Sequence, residues 1–233
     1  MKYKAVVFDL FGTLLDVGSI AASVSRFFPQ KGDAVAALWR DKQIQYSQLI
    51  SLSDANPAGS RHHESFWSIT RKALRYSMER YGLDCPPDTE AALMGEYMRL
   101  RTYPEVTSLL QALKDRGIPV GVLSNANHEM LLSAVQNARL YFHIQTLISA
   151  DTAGHFKTSP FCYELILKHY RHEPKEILFV TSNSWDVIGA SWFGLDTVWV
   201  NRQGLPLETI GPSPRYTGHD LNCLTEIIDQ PAS

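Results

Sequence analysis

Five short apolar runs, each stopping on polar residues, constrain this chain more than any other feature. Tyr3 to Phe8 stops at Asp9 and gives way to Gly12 and Thr13, and Ile118 to Leu123 ends at Ser124 and Asn125. Leu147 to Ser149 is brief, Ile177 to Val180 ends at Thr181, Ser182 and Asn183, and Thr197 to Val200 ends at Asn201. Runs of this length, rich in β-branched residues, read as strands buried on both faces. Between them apolar residues recur at helical spacing: Val106, Leu109, Leu110 and Leu113 before Gly117; Met130, Leu131, Ala134 and Val135; Tyr163, Ile166, Leu167 and Tyr170. Strand alternating with helix predicts an α/β fold built on a parallel sheet.

Residues 16–99 break that alternation. Val35, Leu38, Trp39, Tyr46 and Leu49 fall at helical spacing, as do Phe66, Ile69, Ala73, Tyr76 and Met78, with a polar loop from Ser51 to Ser60 between them. No strand is expected there, so the simplest organisation is a helical cap, residues 16–99, inserted after the first strand of a core made of residues 1–15 and 100–233. Gln203 to His219, with three prolines and three glycines, reads as an ordered surface excursion before a last short helix.

Composition narrows the class of partner. Hydrophobic residues make up 45% of the 233, enough for a substantial core. Lys and Arg total 22 against 24 Asp and Glu, so no overall field favours nucleic acid or an acidic membrane surface. No stretch approaches the roughly 20 apolar residues needed to cross a bilayer. The opening MKYKAVVF is too short for a signal-peptide core. Cys85, Cys162 and Cys223 are scattered and odd in number, which fits reduced thiols and a cytoplasmic location.

In an open parallel sheet, ligands bind beyond the carboxyl ends of the strands, where loops converge and helix N-termini point. Three strand ends carry suitable polar residues: Asp9 with Thr13, Ser124 with Asn125, and Thr181 with Asn183 and Asp186. Lys157, before a Ser-Pro helix start, is a fourth contributor. Each alone is an ordinary strand end or helix cap; their coincidence at successive strand ends points to one site. His62-His63-Glu64 does not suggest a metal centre, because adjacent histidines diverge and no second cluster accompanies them.

The segment FDLFGTLLDV at 8–17 resembles the nucleophile loop of the haloacid dehalogenase superfamily, and its details are similar to the 2-haloacid dehalogenase branch. LWRDKQIQY with Arg40, FWSITRKALRY from Phe66, VLSNANHEML, FKTSPFCYEL and FVTSNSWDVIGASWFGLDTVWVNRQGLP agree in order and spacing. A lone DxxGT is weak; the SNxWDxxGAxxFG string together with Arg40 is specific. The resemblance spans nearly the whole chain. It implies a Rossmann-like core under a helical cap, no cofactor, no metal, and a small 2-substituted carboxylic acid as substrate. It also implies the chemistry: Asp9 displaces the leaving group from C2, and water then hydrolyses the resulting ester, turning an (S)-2-haloacid into an (R)-2-hydroxy acid. By the same resemblance Arg40 receives the halide, Ser124 and Asn125 hold the substrate carboxylate, and Lys157 and Asp186 orient Asp9 and the hydrolytic water. Thr13, Tyr163, Thr181 and Asn183 complete the hydrogen-bond net, and Phe11, Phe66 and Trp185 form an apolar wall. A homodimer through the cap helices is compatible with it.

Most of the superfamily transfers phosphoryl groups, using a second Asp two residues after the nucleophile and acidic magnesium ligands. Here that position is Phe11, which can neither protonate a leaving alkoxide nor sit cheaply beside a hydrated cation. A phosphatase is therefore disfavoured. A non-catalytic binding protein on this fold would be expected to have lost a charged member of the set, yet Asp9, Arg40, Lys157 and Asp186 are all present. One departure opens an alternative. Asp41 follows the cap arginine where glutamine is typical; facing the site, its carboxylate would favour a cationic leaving group, such as the ring nitrogen of azetidine-2-carboxylate.

Overall fold

The computed structural model describes residues 2–230. A six-stranded parallel sheet has the order β3-β2-β1-β4-β5-β6. Its strands are β1 (Ala5–Phe8), β2 (Val120–Ser124), β3 (Thr146–Ser149), β4 (Ile177–Thr181), β5 (Asp196–Val200) and β6 (Tyr216–Gly218). Every residue of β1, β2, β4 and β5 is buried, because helices cover both faces of a parallel sheet, and this is why those runs carry no alternation. The five expected strands are present. The sixth, β6, lies inside the stretch read as a surface excursion: an edge strand of three residues leaves too little pattern to see.

Crossing to β2 and β3 on one side of β1 and to β4 and β5 on the other creates a switch point at the carboxyl ends of β1 and β4, where a Rossmann-like sheet opens a crevice. The covering helices are α5 (Val106–Asp115), α6 (His128–Asn137), α7 (Pro160–Tyr170), α8 (Ser184–Phe193) and the short α9 (Cys223–Ile228).

Between β1 and α5 lie four helices packed on one another: α1 (Gly18–Phe27), α2 (Gly32–Ser53), α3 (Phe66–Arg80) and α4 (Pro87–Glu96). Val35 and Trp39 of α2 and Phe66, Ile69, Ala73 and Met78 of α3 are buried, as the spacing predicted. Leu49 and Tyr76 share that spacing but are exposed; Tyr76 instead packs edge-on against Tyr46 beneath the Lys42 ammonium. Ser65 caps α3 by accepting from the Ser68 amide.

A seam of hydrogen bonds joins this helical segment to the core beside Lys157. The Ser60 amide donates to the Gly154 carbonyl (3.1 Å) and the Phe156 amide to Ser51 Oγ (2.8 Å), while His63 Nε2 meets Asp151 Oδ1 (3.1 Å). Gly154, with φ of +62°, lies so close to Gly59 that a Cβ would fall 2.7 Å from the Gly59 Cα. No helix among the described residues is long and apolar enough to cross a membrane.

Candidate active site

Asp9 is the first residue beyond β1, its side chain almost wholly buried, and its carboxylate is held from three directions. Lys157 Nζ donates to Oδ1 (2.9 Å), while Thr13 Oγ1 and Asn183 Nδ2 each donate to Oδ2 at 2.9 Å. Gly12, at φ +88°, permits the turn that brings Thr13 back under the carboxylate. The Thr13 hydroxyl is itself fixed by the Ser182 amide, and Asn183 Nδ2 also donates to the Phe11 carbonyl (3.3 Å). Two loops from adjacent strands thus lock one another around a single carboxylate.

Lys157 bridges two carboxylates, donating to Asp9 and, at 2.8 Å, to Asp186 Oδ2. Burial pulls the lysine pKa down, but the adjacent Asp186 and Asp9 charges outweigh it, so the ammonium is held above its ordinary value and stays charged. Asp186 also accepts from Tyr163 Oη (2.7 Å), whose pKa is raised first by burial and then by the Asp186 charge, so it remains a phenol donor. Asn125 Oδ1 accepts from the Lys157 amide (2.9 Å), pinning the lysine segment to the end of β2.

Above Asp9 is a small cavity with about 10 Å³ of free space. Asp9, Ser124, Asn125 and Lys157 form its polar side, Phe11, Ile44, Phe66 and Trp185 its apolar side, and Arg40 stands between them. Arg40 Nη2 reaches across from α2 to Asn183 Oδ1 at 3.4 Å.

Most residues singled out in the sequence therefore converge, in two layers. Asp9, Phe11, Arg40, Phe66, Ser124, Asn125, Lys157 and Trp185 line the cavity. Thr13, Tyr163, Asn183 and Asp186 bond to the residues that do. Thr181 Oγ1 accepts from the Asn183 amide (3.1 Å), shaping the turn that presents Asn183 and not the carboxylate itself. Asp41 does not join them. It is exposed and not among the residues that line the cavity; it borders an adjoining open depression of about 520 Å³ that meets the cavity at Arg40, Ile44 and Trp185. The cationic-leaving-group alternative, which placed that carboxylate beside the leaving atom, loses its support. Ile44 was not anticipated, although it sits one turn beyond Arg40 on the same helix face, a spacing that could have pointed to it.

Superfamily relatives that transfer phosphoryl groups imply a divalent cation, and these residues do not suit one. The Lys157 ammonium already sits between Asp9 and Asp186, and Phe11 presents no ligand. Among the described residues no group of three or more His, Cys, Asp or Glu is placed to hold a metal ion.

The family profile of the haloacid dehalogenase-like hydrolases matches residues 3–194. The chain is 35% identical over 227 residues to haloacetate dehalogenase H-2 of Moraxella sp. (strain B), covering 97% of this chain and 98% of that protein. It is 36% identical over 228 residues to (S)-2-haloacid dehalogenase 2 of Pseudomonas sp. (strain CBS-3), covering 98% and 96%. The crystal structure of the L-2-haloacid dehalogenase RSc1362 superposes with a TM-score of 0.94 at 41% identity, covering 99% of this chain and 100% of that one. The L-2-haloacid dehalogenase from Xanthobacter autotrophicus with chloropropionic acid covalently bound superposes with a TM-score of 0.87 at 32% identity, covering 97% and 98%.

Proposed function

The chain belongs to the haloacid dehalogenase-like hydrolases, and from that premise we propose that it converts small (S)-2-haloacids into (R)-2-hydroxy acids through a covalent ester on Asp9. The observation that carries this reading is the Asp9 carboxylate held by Lys157, Thr13 and Asn183, with an apolar Phe11 where an acid would serve phosphoryl transfer. The relatives' names, haloacetate and (S)-2-haloacid dehalogenases, support the substrate class.

Chemically, an Asp9 oxygen attacks C2 from the face opposite the halogen. The carbon–oxygen bond forms as the carbon–halogen bond breaks, the electron pair leaves with the halide, and C2 inverts. A carboxylate needs no base to do this at neutral pH. Arg40 offers a permanently charged fork to the departing halide. Ser124 and Asn125 take the substrate carboxylate. Phe11, Phe66 and Trp185 keep water from the nucleophile during this step. In the second step water adds to the Asp9 ester carbonyl, Lys157 and Asp186 orienting it, and the acyl–oxygen bond breaks to return Asp9 and release the hydroxy acid. The free space between the side chains lining the cavity is about that of one water, so they would sit in close contact with a bound haloacid.

On this reading residues 16–99 act as a cap that supplies Arg40 and Phe66. The exposed Leu49 and Leu52 of α2 support a homodimer, to be tested by sedimentation. Three free cysteines support a reducing cytoplasm.

The decisive experiment is a single turnover in 18O-labelled water. The label is expected on Asp9 and not in the hydroxy acid, with halide released equally with and without a chelator. Label appearing in the product while Asp9 stays unlabelled overturns the covalent route, and magnesium-dependent phosphate release from p-nitrophenyl phosphate overturns the substrate class.

A further inference from the structure

Three residues along α2 from Arg40, Gln43 carries an amide that is completely buried. Its Oε1 accepts from Arg40 Nη1 (3.4 Å) and from Tyr97 Oη (3.1 Å), while its Nε2 donates to Thr70 Oγ1 (2.8 Å) on α3. A buried amide is costly unless bonded, and a Met or Leu would fill the same volume without that demand. The residues it touches are therefore the reason for its chemistry. Tyr97 packs edge-on against both Trp39 (5.2 Å) and Phe11 (5.9 Å), so the same network reaches the nucleophile loop.

We infer that Gln43 is the positioning residue for Arg40, holding the guanidinium where halide charge develops as the carbon–halogen bond breaks. Arg40 has one anchor on each side: Nη2 bonds to Asn183 of the core and Nη1 to Gln43 of the helical segment. A long, flexible side chain fixed at both edges does not have to be oriented when the anion forms, which is how a prearranged donor lowers a barrier. The acceptor is also neutral: an amide oxygen orients the guanidinium without cancelling its charge, as a carboxylate at that position would. The inference rests on the dehalogenation proposed above and adds a residue that acts on one half of it. Ester formation releases the halide and needs Arg40; ester hydrolysis does not.

The test is rapid-quench kinetics with (S)-2-chloropropionate on the full chain, following the mass of the Asp9 peptide so that ester formation and hydrolysis are timed separately. In Gln43→Met, ester formation is expected to slow about tenfold, the effect of losing a hydrogen bond to a charged group, with hydrolysis of the same ester within about twofold. Gln43→Glu keeps the shape and puts a carboxylate against Arg40; its ester formation is expected to slow further. For both variants the deficit is expected to be larger with chloride than with bromide as leaving group. Equal slowing of both steps, or of neither, overturns the inference. So does failure of both variants to fold, since the amide then serves only the packing of the helices. If the unaltered chain forms no Asp9 ester, the dehalogenase reading fails and takes this inference with it; if it does and the variants match it, only the role of Gln43 fails.

Discussion

Removing the charge of Lys157 while keeping its length, as in Lys157→Met, tests how the site is held together. In the native chain one ammonium lies 2.9 Å from Asp9 Oδ1 and 2.8 Å from Asp186 Oδ2, so those oxygens are no more than about 6 Å apart. Without the cation, two buried negative charges at that separation repel by about 3 kcal/mol at an effective dielectric of about 20. That agrees with the ~3–5 kcal/mol typical of breaking a buried pair, and for a chain of this length it corresponds to a melting temperature lower by roughly 10 °C. Repulsion also raises the pKa of one carboxylate above its unfolded value of about 4. A group whose folded pKa is raised stabilises the fold most below its unfolded pKa, so the variant should recover stability as pH falls from 7 toward 5. In the native chain Lys157, its pKa raised by Asp186 and Asp9 in spite of burial, contributes fully below the unfolded lysine value and loses that contribution only in alkali. It therefore adds no slope between pH 5 and 7. Melting curves of both chains at pH 5 and 7 decide the matter: a deficit as large at pH 5 as at pH 7 would falsify the shared-cation account.

Three further outcomes follow from the geometry. Gly154→Ala forces a side chain into a left-handed backbone position 2.7 Å from the Gly59 Cα, and should cost about 1–3 kcal/mol in urea unfolding while exposing residues 54–65 to protease. Asp196 accepts from Lys2, Tyr3 and Lys175; burial would raise its carboxyl pKa, but these bonds hold it below the ordinary value. A depressed carboxyl stabilises above its unfolded pKa and loses that contribution as pH falls through the folded one, so Asp196→Asn should lower stability at pH 7 by about 1–3 kcal/mol and flatten acid unfolding below about pH 4. Asp41→Gln should change halide turnover by less than about threefold, because an exposed charge outside the cavity is screened by solvent; a tenfold gain would place that carboxylate inside.

What was legible in the sequence followed from how strongly each element declares itself. Strands buried on both faces appear as plain apolar runs, so β1, β2, β4 and β5 could be read from composition alone. The exposed edge strand β6 could not, and neither could α1, a serine-rich helix burying only Ile20, Ser23 and Val24. Polar residues at strand ends marked Asp9, Ser124, Asn125 and Asn183, because the fold makes that edge the site. Gln43 and Tyr97 were invisible for the opposite reason. They lie in the helical segment, where nothing in a single sequence separates a buried amide serving Arg40 from an ordinary polar residue on a helix. Asp41 shows the limit of reading a neighbour in sequence as a neighbour in space, since successive residues on a helix point about 100° apart.

The choice between carbon and phosphorus chemistry comes down to what neutralises the nucleophile's surroundings. Two carboxylates converging on one point ordinarily call for a divalent cation, which also gathers the oxygens of a phosphoryl group. Here the point is occupied by Lys157, a single positive charge that is covalently part of the chain and already engaged by Asp9 and Asp186. It steadies the nucleophile but has little left to offer a multiply charged phosphate. Phe11 removes the acid that such a reaction would need and gives the cavity an apolar wall, which suits a carbon–halogen bond. Asp9 is thereby left with a lysine that fixes one oxygen and, on the far side of a cavity with about 10 Å³ of free space, an arginine suited to one small anion. Reintroducing acid chemistry at one position would not reverse this. Phe11→Asp alone should lose halide release without gaining phosphatase activity, because the Lys157 ammonium would still hold the cation's place.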